Sequence, residues 1–203
     1  MPDRHILLIA TYNLGKVAEL KDLFGKTPVE LRHLGDFDNI IEAAETGSSF
    51  AENAQIKARS YALQTHIMAL ADDSGLEVEA LDGRPGVFSA RYGGEETSFS
   101  EKIAVLLDEL GSAHDVHRRA QFSCAIAVAD PSGKILRTVV GKCTGRIACE
   151  PRGNGGFGYD PIFVPDGYNQ TFGELAAGIK QKISHRAVAF REIIPFLLDY
   201  IAI

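Results

Sequence analysis

Residues 69–78 read ALADDSGLEV, an apolar run closed by two adjacent carboxylates, Asp72 and Asp73, and then by Ser74 and Gly75. Neighbouring carboxylates repel, and removing either from water is costly without a cation or hydrogen-bond donors beside it. Asp, Ser and Gly also reverse chains, so a plain turn fits the local composition as well as a metal site does. Glu45, in Glu45-Thr46-Gly47, adds a carboxylate near a predicted helix start. If Glu45 and one aspartate of the pair are oxygen ligands, the expected ion is Mg²⁺, which takes one or two carboxylates and completes its shell with substrate phosphates. Side chains alternate along an extended strand, so only one of Asp72 and Asp73 points into such a site while the other anchors the turn.

Three further stretches carry chemistry-bearing residues. TYNLGK (residues 11–16) places Asn13 at a helix cap and Lys16 in the first turn, where free backbone N–H groups and an ammonium favour phosphate. GNGGFGYDPIF (residues 153–163) sets Phe157 and Tyr159 in a glycine-rich loop, which either admits a planar ligand or closes over the core. KQKISHR (residues 180–186) gathers Lys180, Lys182, His185 and Arg186 ahead of a final helix. Cations at a helix start oppose its dipole, which points to an anionic partner or to solvated charge.

The elements that must position these residues follow from periodicity. HILLIAT is a buried strand, and Val17, Leu20 and Phe24 form one face of a helix after it. Ser49 and Glu52 make a capping box for a second helix, with Phe50, Ala54, Ala58, Tyr61 and Ala62 inside and Asn53 and Lys57 one turn apart on its polar face, where such a pair reads as solvated surface. Residues 67–71 form a buried strand, Leu76, Val78 and Ala80 alternate as a half-buried one, and the Asp-Asp-Ser-Gly cluster lies between. SEKIAVLLDELG is a helix with Ile103, Leu106, Leu107 and Leu110 inside and Gly111 as its stop. QFSCAIAVAD, PSGK and ILRTVVGKCTGRIAC predict antiparallel strands about a turn, and Phe190, Ile193, Ile194 and Leu197 give the last helix its apolar face. The class is mixed α and β.

The 203 residues contain no Pro/Gly/Ser-rich linker, so one domain over 1–203 is expected. A net charge of −6 argues against general nucleic-acid affinity, and the N-terminal apolar run is too short for a signal peptide or membrane span. A cytoplasmic location is therefore expected. Cys124, Cys143 and Cys149 lack metal-ligand spacing and read as reduced interior thiols. A Walker loop, a G-x-G-x-x-G after the first strand and a G-x-S-x-G elbow are all missing, and the adjacent Ser184 and His185 are no catalytic pair. If phosphate is the ligand, the chemistry has to be of another kind.

TYNLGK, ETGSSFAENAQIKA, ADDSGLEV with GRPGVFSARYGG, GNGGFGYDPIF, and Lys180 ahead of ISHR occur in the order found in the inosine triphosphate pyrophosphatase family, over about residues 10–189. The chain resembles a bacterial-type member, and five ordered blocks are more specific than any one. The resemblance implies an elongated α/β fold: a long mixed sheet flanked by helices, with two lobes and a central cleft. It implies Mg²⁺-dependent hydrolysis of ITP, dITP and XTP to the monophosphate and pyrophosphate by a homodimer, for which the exposed parts of Phe88 and Tyr92 are candidate contacts. By the same resemblance Asp73 is the catalytic carboxylate and a metal ligand with Glu45. The turn of Thr11, Tyr12, Asn13, Leu14, Gly15 and Lys16 binds the triphosphate, and Ser74, Phe157, Gly158, Tyr159, Asp160, Lys180, His185 and Arg186 match nucleotide-binding positions. Two departures stand out: Ala44 replaces a second acidic residue, leaving Glu42 as a substitute, and Gln181 stands where Asn is usual. A nucleotide-binding regulator without turnover fits the same basic and glycine-rich blocks and is told apart by tight ITP binding with no pyrophosphate release in Mg²⁺; a related pyrophosphatase for modified pyrimidines or methylated nucleotides is separated by a substrate panel.

Overall fold

A computed structural model describes residues 5–201 apart from 26, 28, 95 and 112–117. Its backbone forms a six-stranded sheet in the order β2-β1-β3-β4-β5-β6, with strands β1 (Ile6–Ile9), β2 (Glu30–His33), β3 (Met68–Val78), β4 (Arg119–Ala129), β5 (Ile135–Ile147) and β6 (Phe163–Pro165). The helices are α1 (Leu14–Phe24), α2 (Phe50–Thr65), α3 (Phe99–Leu110), α4 (Ala177–Ile183) and α5 (His185–Ile201). The sheet is mixed: β1 runs parallel to β2 and β3, and β5 runs antiparallel to β6. The chain groups into two compact units, changing unit after Asp73, Ser123, Gly141 and Val188.

In the first unit, β1 sits between β2 and β3, with Leu7 opposite Leu31 on one side and Met68 on the other. Alternation sorts its residues. Leu7, Ile9 and Leu70 pack with Val17, Leu20 and Phe24 of α1 and with Phe190, Ile193 and Leu197 of α5. Leu8, Ala10, Ala69 and Ala71 pack with Ala54, Ala58 and Tyr61 of α2 on the opposite face. The run of alanines on that second face lets α2 approach the strands closely. Parallel neighbours require crossovers, and here α1 and α2 leave to opposite faces, so the carboxyl end of β1 is a topological switch point, where open α/β sheets place their ligands.

The second unit has its own core, in which Leu76, Val78, Phe122, Phe163 and Phe172 meet Ile103, Leu106 and Leu110 of α3. Ser98 and Glu101 cap α3 reciprocally, and Gly111 ends it. Two long cations are buried here and satisfied by carbonyl oxygens: Lys102 donates to those of Gly94 and Thr97, and Arg118 to those of Gly111, Ile147 and Ala148.

Several expectations are corrected. The Asp72–Gly75 cluster is not a turn between two strands: β3 runs unbroken through it, because Asp72 and Asp73 have cations on opposite faces and the backbone pairs within the sheet. Ala80 is not a strand residue but lies exposed in the 3₁₀ turn Glu79–Leu81 that ends β3. Glu52 completes the α2 cap differently from a capping box, accepting from the Ser48 N–H and hydroxyl while Ser49 Oγ accepts from the Glu52 N–H. Leu107 is only partly buried, and Cys149 is exposed whereas Cys124 and Cys143 are buried. The short strands β2 and β6 give too little periodicity to register in sequence.

Candidate functional site

The turn after β1 is ordered by its own side chains. Asn13 Oδ1 accepts from the Lys16 N–H at 3.1 Å and caps α1, while the Asn13 N–H donates to Thr11 Oγ1 at 3.2 Å. Tyr12 and Leu14 point outward, 49% and 71% exposed, where an internal role would have buried them. Gly15 and Lys16 are half-buried, and Lys16 Nζ lies 3.1 Å from Oδ2 of the fully buried Asp72. Asp72 thus belongs to the α1 face, as the even position after Leu70.

Asp73, the odd position, faces α2. Its Oδ1 accepts from Lys57 Nζ at 2.8 Å and its Oδ2 from Asn53 Nδ2 at 3.3 Å. The same Lys57 ammonium donates to Glu45 Oε1 at 2.8 Å, so two carboxylates converge on one cation. Burial pushes the Asp73 carboxyl above its ordinary value, more than Lys57 and Lys16 pull it down. Burial also works against the Lys57 ammonium, yet Asp73, Asp72 and Glu45 together hold its pKa above the usual lysine value.

Asn53 and Lys57 are not a solvated pair: Asn53 is fully buried and Lys57 is 8% exposed. They belong to one stripe of α2 that grips residues 41–47. Gln64 exchanges two hydrogen bonds with the Ile41 backbone, Tyr61 Oη accepts from the Ala43 N–H, Lys57 holds Glu45, and Asn53 Oδ1 accepts from the Gly47 N–H. Two residues of extended chain advance about 6.6 Å and one helical turn about 5.4 Å, so alternate residues of one match successive turns of the other. This stripe carries Glu45 to Asp73. Glu42, the suggested substitute ligand, is exposed.

Among the described residues no three His, Cys, Asp or Glu side chains converge as a metal site. Glu45 and Asp73 nevertheless fit a hard divalent ion held partly by its substrate, since their oxygens already face one cation.

The second unit holds the aromatic and basic residues. Asp160 Oδ2 accepts from the Phe157 N–H at 2.7 Å and from Lys180 Nζ. A Cβ on Gly156 would stand 2.0 Å from that oxygen, and φ there is +71°, so only glycine lets the loop close on Asp160. Lys180 Nζ lies 4.6 Å from the Phe157 ring centroid and the Arg186 guanidinium 5.8 Å from it. Arg186, almost fully buried, donates to Ser74 Oγ at 3.0 Å, and the His185 ring stacks on Phe122 at 4.7 Å. Gly158 continues the loop with φ +65°. Tyr159 turns into the core instead of lining the loop: its hydroxyl donates to the Ser89 carbonyl, and burial raises its pKa far above the ordinary tyrosine value. KQKISHR is therefore not one helix start. Lys180 lies in α4 and His185 begins α5, whose first turn Ser184 Oγ caps by accepting from the Ala187 N–H.

Each unit thus collects its own predicted residues: Thr11–Lys16, Glu45 and Asp73 in the first, Ser74, Phe157–Asp160, Lys180, His185 and Arg186 in the second. In sequence Asn53 and Lys57 read as a polar-face pair of α2 that water covers; the 41–47 segment covers them instead. Their signal was the 4-4-3 spacing of Asn53, Lys57, Tyr61 and Gln64, a polar stripe directly beside the apolar one.

The Ham1 family model matches residues 7–196. A dITP/XTP pyrophosphatase of Geobacillus kaustophilus is 49% identical over 187 residues, 92% of this chain and 91% of the relative. One from Desulforamulus reducens is 46% identical over 191 residues, 94% of each chain. The solved Staphylococcus aureus Ham1 protein superposes with a TM-score of 0.84 at 37% identity, covering 96% of this chain and 99% of the other. With a family model spanning nearly its whole length and relatives at this identity, the chain belongs to the Ham1 family.

Proposed function

We propose that this chain hydrolyses non-standard purine nucleoside triphosphates, ITP, dITP and XTP, to the nucleoside monophosphate and pyrophosphate. The observation that carries the reading is the buried Asp73 carboxylate held by Lys57 and Asn53 in the unit whose β1–α1 turn offers N–H groups and Lys16 to phosphate. The relatives' names supply the substrate class.

Thr11–Lys16 bind the triphosphate through the α1 N-terminus and the Lys16 ammonium. Glu45 and Asp73 would hold a Mg²⁺ ion, which when bound offsets phosphate charge and that of the departing pyrophosphate. Asp73, its charged form disfavoured by burial, takes a proton from the water whose oxygen forms the new bond to the α-phosphorus. The bond from that phosphorus to the α–β bridging oxygen breaks, and pyrophosphate leaves with the electron pair.

Phe157 stacks on the purine, and Ser74, Gly158, Lys180, His185 and Arg186 contact the nucleotide. Asp160 positions Lys180, and Tyr159 supports the loop from the core. Donors among Lys180, His185 and Arg186 pair with the 6-oxo group of hypoxanthine or xanthine. Adenine carries an amino group there and leaves them unpaired, a strong basis for rejection. No described helix is long and apolar enough to cross a membrane. A cytoplasmic location and a homodimer belong to the same proposal. Phe88, 58% exposed under the Arg91 guanidinium, and the half-buried Tyr92 are the dimer's candidate contacts; a monomer by light scattering refutes the dimer.

The deciding experiment is pyrophosphate release from ITP, XTP, GTP and ATP, with Mg²⁺ and with EDTA. Metal-dependent release from ITP and XTP, with ATP spared, is expected. Tight ITP binding without release would overturn the reading in favour of a binding protein.

A further inference from the structure

We propose that Asn53 is a positioning residue that locks the Asp73 carboxylate and the Glu45–Gly47 segment into one arrangement. This rests on the reading of Asp73 as the group that takes the proton from water.

Four α2 side chains grip the 41–47 segment, and only Asn53 and Lys57 among them also reach Asp73. Lys57 is a flexible point charge with three donors, so it attracts Asp73 and Glu45 without fixing the plane of either. Asn53 is different. Its side chain is fully buried, and a backbone N–H can only donate, so the atom facing Gly47 at 2.8 Å is the amide oxygen. The amide plane then directs Nδ2 at Asp73 Oδ2. At 3.3 Å that bond is long, so it orients the carboxylate more than it stabilises it. Lys57 on Oδ1 and Asn53 on Oδ2 together leave Asp73 one orientation.

The segment presses on Asn53 closely enough to demand glycine. A Cβ on Gly47 would stand 2.7 Å from Asn53 Oδ1 and 2.7 Å from Glu52 Cβ. Displacing the segment at Gly47 thus turns the amide and moves the donor at Asp73.

The test measures kcat and KM for ITP in the wild type, Asn53→Ala, Asn53→Asp, Asp73→Asn and the Asn53→Ala/Asp73→Asn double variant, with amide hydrogen exchange at Gly47 in each. Asn53→Ala is expected to lower kcat about 10–100-fold, the scale of a misplaced catalytic group, with KM within about 3-fold. That loss should vanish in the Asp73→Asn background, since Asn53 acts through Asp73. Gly47 exchange should speed up in Asn53→Ala. In Asn53→Asp it should stay slow while kcat still falls, because a carboxylate accepts from Gly47 but cannot donate to Asp73. The same fold-loss with and without the Asp73 carboxylate, wild-type kcat in Asn53→Asp, or unchanged Gly47 exchange in Asn53→Ala would each overturn the proposal. A wild type that releases no pyrophosphate, or an Asp73→Asn variant that keeps full turnover, refutes the functional reading instead. The exchange arm then still decides whether Asn53 holds the segment.

Discussion

The two clusters use the same kind of contact, a buried lysine on a carboxylate, to opposite ends. In the first unit Lys57 is shared between Asp73 and Glu45, and Lys16 faces Asp72, so three carboxylates meet two ammonium groups. In the second, Asp160 anchors Lys180, and Arg186 joins it beside the Phe157 ring. Negative charge in excess of ammonium suits a further cation; cations beside an aromatic face suit a polar planar group. The lesson is that buried ion pairs are weak evidence of stability and that the imbalance around them is the better guide to chemistry.

The sharpest way to break this comparison is to remove the proposed base. Asp73→Asn should lower ITP turnover by about 10²–10⁴-fold, the scale for a positioned acid–base group, in pyrophosphate-release assays. A folded variant with near-normal turnover would leave the first cluster without its chemical role.

Lys57→Met tests the shared cation. Leaving Asp73 and Glu45 without their ammonium should cost about 3–5 kcal/mol of folding stability, the range for breaking a buried pair from one side, read by urea denaturation. A loss below about 1 kcal/mol would mean that water already screens the pair.

The second cluster should fail differently. Phe157→Ala should raise KM for ITP about 10-fold with kcat nearly unchanged, since stacking on a base is worth about 1–3 kcal/mol and serves substrate and transition state alike. An equal fall in kcat would place Phe157 in the chemistry and blur the division of roles.

The smallest effect is a pair of opposite titrations within the first unit. In EDTA, carboxyl NMR should show Asp73 titrating above the ordinary aspartate value of 3.8, because of burial, and Glu52 below 4.5, because the Ser48 hydroxyl and the Ser48 and Ser49 amides bond its charged form. The signs for folding are opposite. The raised Asp73 pKa favours the folded state at low pH, and that contribution fades as pH rises through the folded value. The Glu52 contribution is present above 4.5 and fades as pH falls through its lowered value. Equal titration of both would remove the desolvation argument.

Local physics made much of this protein legible in sequence. Asn13 and Ser49 cap their helices because capping is settled within four residues, and Gly111 ends α3 for the same reason, whereas α3 starts at Phe99 behind a Ser98 cap, just ahead of the SEKIAVLLDELG run expected from periodicity. The strand at 6–9, buried from Leu7 to Ile9 with Ile6 exposed, and the Phe190, Ile193 and Leu197 face followed from periodicity. Asp73, Glu45 and the loop around Phe157 were flagged by residue type and by a family resemblance. Tertiary structure alone decided what those residues meet. Whether Asp-Asp-Ser-Gly turns or runs straight depended on cations contributed by α1 and α2, 16 to 56 positions earlier in the chain. A stripe of polar residues on α2 looks the same in sequence whether water or a gripping segment lies over it. The packing of residues 41–47 along that stripe is what buried Asn53 and Lys57 and turned them toward Asp73.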